Sequence, residues 1–465
     1  MSDGKKVTKI KRVIPRLKPV PYTLHDLNST LKPPHRSKQI TIKDTDFYSS
    51  EEHPFNRRGF KYKSCRPNPY FSSIMYSTSD LPPFKARFSY FDRSTALLTD
   101  ESCSMATSLQ GWRSSRTSFG VREGKWYVEF KLIKANDGES NVRFGFSRRE
   151  ANLEAPVGFD GYGYGFRDKL GQRVHLSRPT EFLTDGEEFH TGDVIGLLIE
   201  LPPLDVQEKI ARLQIEQETL SNPVIQKPQK SLSDVLSSSQ EIENKTEKVG
   251  FEATGTDEKK NDTKNPFGKS KEATLRSKLL TFEKGIVRDQ IPIKYKNQLF
   301  FEQYEYTHIK EMEHLLNPLT VFGEKAIPDK ERFKPCKLPN SSITLYKNGV
   351  NKGVAFHDLY SFLPPSSHQH QLKSLRNGDS FVVSNDDGTS GYYPMVSCFR
   401  KGIVELNPGP ELEFPPEDLK GRFDSKEVKL FCERYKQKVV EDVTNDIMDE
   451  VTNKYLDRLE QALVQ

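Results

Sequence analysis

Two arginines stand where their chemistry could be used on a partner. Arg143 falls in Val142-Arg-Phe-Gly-Phe146, where Val142, Phe144 and Phe146 alternate along a strand and throw Arg143 onto the opposite face. Arg167 ends the run Gly161-Tyr-Gly-Tyr-Gly-Phe-Arg167, whose glycines let a backbone or a ligand approach closely. Two guanidiniums so placed can hold carboxylates or phosphates bidentately. Taken alone, they read first as surface salt-bridge arginines.

Catalytic chemistry finds no comparable foothold. Gly161-Tyr-Gly-Tyr-Gly165 has the wrong third-glycine spacing for a dinucleotide fingerprint and is followed by aromatics instead of a helix. The sequence has no Gly-x-x-x-x-Gly-Lys-Ser/Thr phosphate loop and no Gly-x-Ser-x-Gly elbow. His368-Gln-His370 lies in a Pro/Ser loop without an acid or cysteine at metal-ligand spacing. The five cysteines, Cys65, Cys103, Cys336, Cys398 and Cys432, are at least 33 residues apart. Zinc ribbons, redox pairs and disulfide frameworks need closer spacing, so these are expected to be packing thiols in a reducing compartment. The expectation is a non-enzyme with no cofactor and no metal.

The net charge of +5 conceals an asymmetry: residues 1–38 hold ten Lys or Arg against two Asp. Lys5, Lys6, Lys9, Lys11, Arg12, Arg16 and Lys18 suit nuclear import or DNA-phosphate contact. A solvated tail is the equally weighted bland alternative. Pro15, Pro19, Pro21, Pro33 and Pro34 favour an extended arm over a recognition helix, so any DNA contact is expected at the backbone. Arg57, Arg58 and Lys61 are further basic candidates.

The elements that must position these residues read mainly as strands. Trp126, Val128, Phe130 and Leu132 share one face while Glu129 and Lys131 lie opposite. Val194 to Leu201 is continuously apolar and is expected to be central. Asn348-Gly349 supplies the two positive φ values of a tight hairpin turn after Ile343–Lys347. Tyr392–Val396 and Ile403–Leu406 add short strands. Strands separated by turn residues, with no intervening helices, indicate a mainly β, antiparallel sandwich. Ser221 to Thr274 has two aromatics in 54 residues, too little apolar surface to offset ordering entropy, and is expected to be a disordered inserted loop. Leu204 to Leu220 suits a helical stem, and Lys278 to Phe333 is less polar and could fold back on the body.

After Pro415-Pro416 the period changes. Residues 425–463 lack Pro and Gly, and Val440, Val443, Ile447, Val451, Tyr455 and Leu459 advance by three and then fours, which draws one stripe on a C-terminal amphipathic helix. Five acids and no base lie between Glu441 and Glu450, which disfavours an anionic membrane surface. The stripe suits either a cap on its own domain or a partner groove. Burying four such aliphatics gives roughly 6–12 kcal/mol gross. Association costs about 4–15 kcal/mol, so a preformed groove is needed.

Several segments taken together carry a resemblance. Gly111-Trp-Arg-Ser-Ser-Arg-Thr-Ser-Phe-Gly-Val121, Trp126-Tyr-Val-Glu-Phe130, Val142-Arg-Phe-Gly-Phe-Ser147 and Ala155-Pro-Val-Gly-Phe-Asp-Gly-Tyr-Gly-Tyr-Gly-Phe-Arg167 resemble the SPRY domain of Ash-two-type proteins. Gly192-Asp-Val-Ile-Gly196 and Tyr346-Lys-Asn-Gly-Val-Asn-Lys-Gly-Val354 continue it. Val440-Glu-Asp-Val-Thr-Asn-Asp-Ile-Met-Asp-Glu-Val451 is similar to that family's helix for a dumpy-thirty-type dimer. With its insertion and without an N-terminal zinc module, the sequence looks like the fungal COMPASS member.

The resemblance implies a SPRY-type sandwich with a long inserted loop region. It implies a basic flexible arm over 1–45, an extension over 46–87 packing on the core, and SPRY halves over 88–201 and 341–416. An insertion over 202–340, disordered over 221–274, and a partner helix over 425–463 complete the order. The implied role is a nuclear, non-catalytic scaffold of a SET-domain methyltransferase complex acting on histone H3 lysine 4, with consequences for transcription and telomeric silencing. Its implied partners are a WD-repeat subunit, the dumpy-thirty-type homodimer, the SET-domain catalytic subunit and the nucleosome, with no membrane. The positions matching the family's acidic-peptide pocket are Trp112, Arg143, Pro156 and Arg167, with Trp112 replacing the phenol of animal members. A SPRY adaptor presenting acidic peptides to another nuclear complex, such as a ubiquitin ligase, is the alternative, but no RING cysteines or cullin-adaptor helix accompany it.

Overall fold

The computed structural model describes residues 18–50, 60–184, 186–220, 286, 288, 290–316, 334–363 and 386–464. Two large sheets face each other. The first runs in the order Arg36–Ile42, Thr45–Ser50, Leu97–Thr99, Met105–Ser108, Ile403–Asn407, Gly124–Lys134, Val194–Leu201, Ser342–Lys347 and Val350–His357. The second runs Arg178–Thr180, Arg173–His175, Gly163–Arg167, Asn141–Ser147, Tyr393–Phe399, Arg113–Thr117 and Phe88–Arg93. All neighbours in these orders are antiparallel. The architecture is the expected antiparallel sandwich.

The alternating residues do what their period requires. Val128, Phe130 and Leu132 from one sheet meet Phe144, Phe146, Phe166 and Val396 from the other in one buried core. Val194–Leu201 is central, paired on one side with Gly124–Lys134 and on the other with Ser342–Lys347. Asn348 and Gly349 take φ of 50° and 79° at the turn that pairs Lys347 with Val350.

Glu129 lies on the face that alternation assigns it, but that face is covered. Expected on an open face, it is fully buried, because residues 407–414 cross over it. Its carboxylate accepts hydrogen bonds from Asn407 Nδ2 (2.8 Å) and from the N–H groups of Glu413 (2.9 Å) and Phe414 (3.2 Å). Burial nonetheless pushes its pKa up.

The boundaries expected from sequence need correction at both ends. Within 1–45, Arg36–Ile42 is a strand paired with Thr45–Ser50, and Leu24–Asn28 is a short helix with a capping box between Thr23 and Asp26. These residues are anchored, unlike a flexible arm. Residues 60–67 and 76–78 join two strands from the insertion, Ile291–Tyr295 and Gln298–Tyr304, in a separate four-stranded sheet. The extension and the insertion therefore fold on each other. Leu204–Leu220 is helical, and 221–274 lies outside the described residues.

The terminal helix spans Phe431–Val464 and starts later than 425. A short helix, Lys420–Asp424, and a two-residue parallel pairing of Lys429 and Leu430 with Trp126 and Tyr127 precede it. Its first turns are fastened by Phe431 stacked on Phe119 at 5.1 Å and by Tyr435, whose hydroxyl donates to Asp80 at 3.0 Å. No helix among the described residues is long and apolar enough to cross a membrane.

Candidate functional site

The outer face of the seven-stranded sheet carries the arginine pair. Strand register sets Arg143 opposite Arg167 on one side and opposite Ser397 on the other, and Ser397 opposite Ser114. These four residues share the solvent side, because the intervening Val142, Phe144, Phe166 and Cys398 face the core. Ser114 Oγ lies 2.7 Å from the Ala155 carbonyl and 2.8 Å from Ser397 Oγ, which in turn accepts the Val157 N–H at 2.9 Å. The two hydroxyls thereby pin Ala155-Pro156-Val157 across the sheet. Gly165 permits this: a Cβ there would sit 2.7 Å from the Val157 carbonyl oxygen. Pro156 is thus held on the arginine face, its own carbonyl taken by Phe159 N–H at 3.0 Å.

Aromatic groups complete the site. The Arg143 guanidinium lies over the Trp112 ring at 5.1 Å, and Trp112 packs on Phe399 with centroids 5.3 Å apart. Arg143 Nε is buried without a hydrogen-bond partner. Burial, with the neighbouring Arg167 charge second, pulls the Arg143 pKa down to about 10, which leaves it cationic at neutral pH. Arg167 Nη1 donates to Gln172 Oε1 at 2.9 Å. Among the described residues neither guanidinium has a carboxylate within ion-pair distance. A carboxylate or phosphate docking here would offset the mutual repulsion of the two guanidiniums.

Farther along the same face, Ile309 and Met312, from the insertion, cover Met395, Val157 and Tyr162. The described part of the insertion thus closes one end of this surface, and among the described residues the arginine end stays open. All four expected residues sit at that open end. Sequence reasoning missed Ser114, Ser397 and Phe399, although the outward phase of Ser397 and Phe399 about buried Cys398 was readable from alternation. A cavity of about 510 Å³ lies elsewhere, between the extension, the sandwich and the terminal helix, and includes none of the four.

The terminal helix is docked with its polarity reversed. Its acids point inward: Asp446 is 2% and Glu450 4% exposed. Asp446 accepts from Thr78 N (2.7 Å), Thr78 Oγ1 (2.9 Å) and Arg288 (2.7 Å). Glu450 accepts the N–H groups of Ser72 (2.8 Å), Ser73 (3.1 Å) and Ile74 (2.9 Å), which lower its pKa against the cost of burial. Lys63 and Lys438 both reach Asp442, whose carboxyl is held far below its ordinary range despite its burial. Meanwhile Val440, Val443, Ile447, Val451, Tyr455 and Leu459 remain 43 to 65% exposed. The acidic run is the part that grips the body.

The basic candidates fare differently. Lys5, Lys6, Lys9, Lys11, Arg12, Arg16, Arg57, Arg58 and the His368/His370 pair lie outside the described residues. Lys18 is ion-paired with Asp457 and lies 3.5 Å from Glu460 of the terminal helix, so it serves docking of that helix. Lys61 is 6% exposed and bound to Asp387 and Thr389, which removes it from any DNA-contacting set.

No family model matches the chain. The COMPASS component cclA of Colletotrichum higginsianum is 33% identical over 445 residues, covering 87% of this chain and 68% of that protein. The Set1 complex component ash2 of Schizosaccharomyces pombe is 33% identical, over 94% of this chain and 52% of that one. The COMPASS component BRE2 of Saccharomyces cerevisiae is 27% identical, over 87% of this chain and 89% of that one. The chain thus spans about half to two thirds of the first two relatives. The solved SPRY domain of human HERC1 aligns over 70% of this chain and 99% of that one at 12% identity with a TM-score of 0.30.

Proposed function

Because the chain belongs to the Ash-two-type family of COMPASS components, we propose that it is a non-catalytic scaffold subunit of a nuclear histone H3 lysine 4 methyltransferase complex. The observation that carries this reading is the reversed terminal helix, which satisfies its acids internally and offers an aliphatic ridge outward. A ridge that no described residue covers, on a helix already held in place, has prepaid its ordering entropy and suits the groove of a small helical dimer of the dumpy-thirty type. The arginine surface, more than a helix away in sequence and on another face of the sandwich, suits an acidic segment of the WD-repeat subunit. Holding both partners would position the SET-domain subunit on its histone substrate, which lowers a barrier through geometry alone.

The two surfaces are separable by mutation. Val443→Asp with Ile447→Asp abolishes co-purification of the dumpy-thirty-type dimer while retaining the WD-repeat subunit. Arg143→Gln with Arg167→Gln does the reverse, weakening the WD-repeat subunit at least tenfold, since each lost charged hydrogen bond costs about 1.5–3 kcal/mol. Both variants lower histone methylation by the reconstituted complex. Loss of both partners in either variant, or methyl transfer by the purified chain alone, would overturn the scaffold reading.

A further inference from the structure

Beyond the four residues of the arginine surface, the sheet carries a continuation that sequence pattern does not assign. The Arg400 guanidinium lies over Phe399 at 5.2 Å, Phe399 packs on Trp112 at 5.3 Å, and Trp112 lies under Arg143 at 5.1 Å. Charge, ring, ring and charge form one uninterrupted ladder ending at the Arg143–Arg167 pair. Arg400 is exposed and, among the described residues, has no carboxylate within ion-pair distance.

The backbone at Arg400 is a second and independent observation. Gly402 N–H donates to the Phe399 carbonyl at 3.0 Å, closing a tight turn in which Arg400 and Lys401 take φ of 46° and 66°. Residues with a Cβ rarely adopt this region, and Asn-Gly is the usual occupant of two successive positive φ positions. The chain follows that preference at Asn348-Gly349 but not at Lys43-Asp44, Leu176-Ser177 or Lys296-Asn297, which also take two successive positive φ values. At 400–401 it places two basic residues instead, and fixes them: Arg400 N–H donates to Gln110 O (2.8 Å), Ser140 Oγ donates to Arg400 O (2.7 Å), and Lys401 N–H donates to Ser108 O (2.6 Å). These bonds fix the backbone from which the exposed Arg400 side chain extends beside Phe399.

We propose that Arg400 is a specificity-determining residue of the acidic-peptide site, setting the length of acidic segment it grips. This rests on the reading of Arg143 and Arg167 as that site. The three contacts laid end to end reach at most roughly 15 Å, which an extended peptide at about 3.3 Å per residue crosses in no more than about five residues. A short acidic segment satisfies the Arg143–Arg167 pair alone, and a longer one also reaches Arg400.

The test measures binding of fluorescein-labelled triglutamate and dodecaglutamate to the full chain by anisotropy across a salt series, with Arg143→Gln, Arg400→Gln and Arg400→Asn. Arg143→Gln weakens both peptides. Arg400→Gln weakens dodecaglutamate roughly threefold to tenfold, flattens its salt dependence, and leaves triglutamate unchanged. Arg400→Asn weakens dodecaglutamate equally while the melting temperature holds or rises, because Asn accepts the positive φ more readily. If Arg143→Gln weakens binding and neither Arg400 variant does, the proposal fails and the arginine pair stands. If no variant weakens binding, both fail. A lower melting temperature for Arg400→Asn would make Arg400 a structural turn residue and also overturn the proposal.

Discussion

At the scale of single residues, His175 shows how a half-buried group reports on the sheet that carries the arginines. Its ring stacks on Tyr164 at 4.3 Å with planes 3° apart, and Nδ1 lies 2.8 Å from the Gly163 carbonyl, a distance that makes it a donor. Burial pulls its pKa from 6.5 down to about 4. Between those values the unfolded chain takes up a proton that the folded chain refuses. Stability therefore falls as pH drops from 6.5 towards 4, by at most about 3 kcal/mol. Urea unfolding at stepped pH measures it: His175→Phe flattens the profile in this window, and an unchanged profile would assign the acid sensitivity to other groups. Arg143 illustrates the same physics with opposite consequences, since burial and Arg167 leave it charged but in want of an anion.

Elements are where the terminal helix contradicts the ordinary rule that apolar faces turn inward. Glu450 holds three backbone N–H groups of residues 72–74, much as a carboxylate caps a helix start. Glu450→Ala leaves those donors short of partners and is expected to lower the unfolding free energy by about 1–3 kcal/mol. Val443→Asp on the outward stripe is expected to change it by less than about 0.5 kcal/mol, as surface substitutions do. Chemical denaturation of the two variants side by side checks the inversion. A larger loss for Val443→Asp than for Glu450→Ala would mean that the stripe, and not the acids, docks the helix.

Over the whole molecule, a buried network ties segments distant in sequence. Lys61 of the extension pairs with Asp387, which also accepts from the Tyr306 hydroxyl of the insertion at 2.7 Å and from Thr389 Oγ1 at 2.6 Å. Lys61 heads the groups that hold the Asp387 carboxyl well below its usual range against its burial. Lys61→Met strands that carboxylate, at a cost of about 3–5 kcal/mol. Because the small sheet and the sandwich share this network, calorimetry of the parent chain is expected to show one transition for both. Separate transitions, with only one moved by Lys61→Met, would show the extension to be an independent unit. The Arg288 contact with Asp446 extends the same linkage to the helix, so the insertion holds both the outer sheet face and the partner ridge in place.

Local order alone was enough for much of this. Period-two alternation in Trp126–Leu132 and Val142–Phe146, the Asn348-Gly349 turn and the period of the 440–459 stripe are nearest-neighbour properties, and each appears in the structure as strand, turn or helix. Alternation also placed Arg143 on the outer face. What it could not reach depends on which distant segments meet. Glu129 was on the correct face, but only the crossing of 407–414 made that face an interior. The acidic run of 441–450 has a helical period whichever way it turns, and only the N–H groups of 72–74, Thr78, Lys63 and Arg288 decide that it turns inward. Likewise the join of residues 60–78 to 291–304 buries groups more than two hundred positions apart, and neither segment carries a mark naming the other. Charge and hydrogen-bond satisfaction are settled by the partners present in space, and those partners are chosen only when the chain closes on itself.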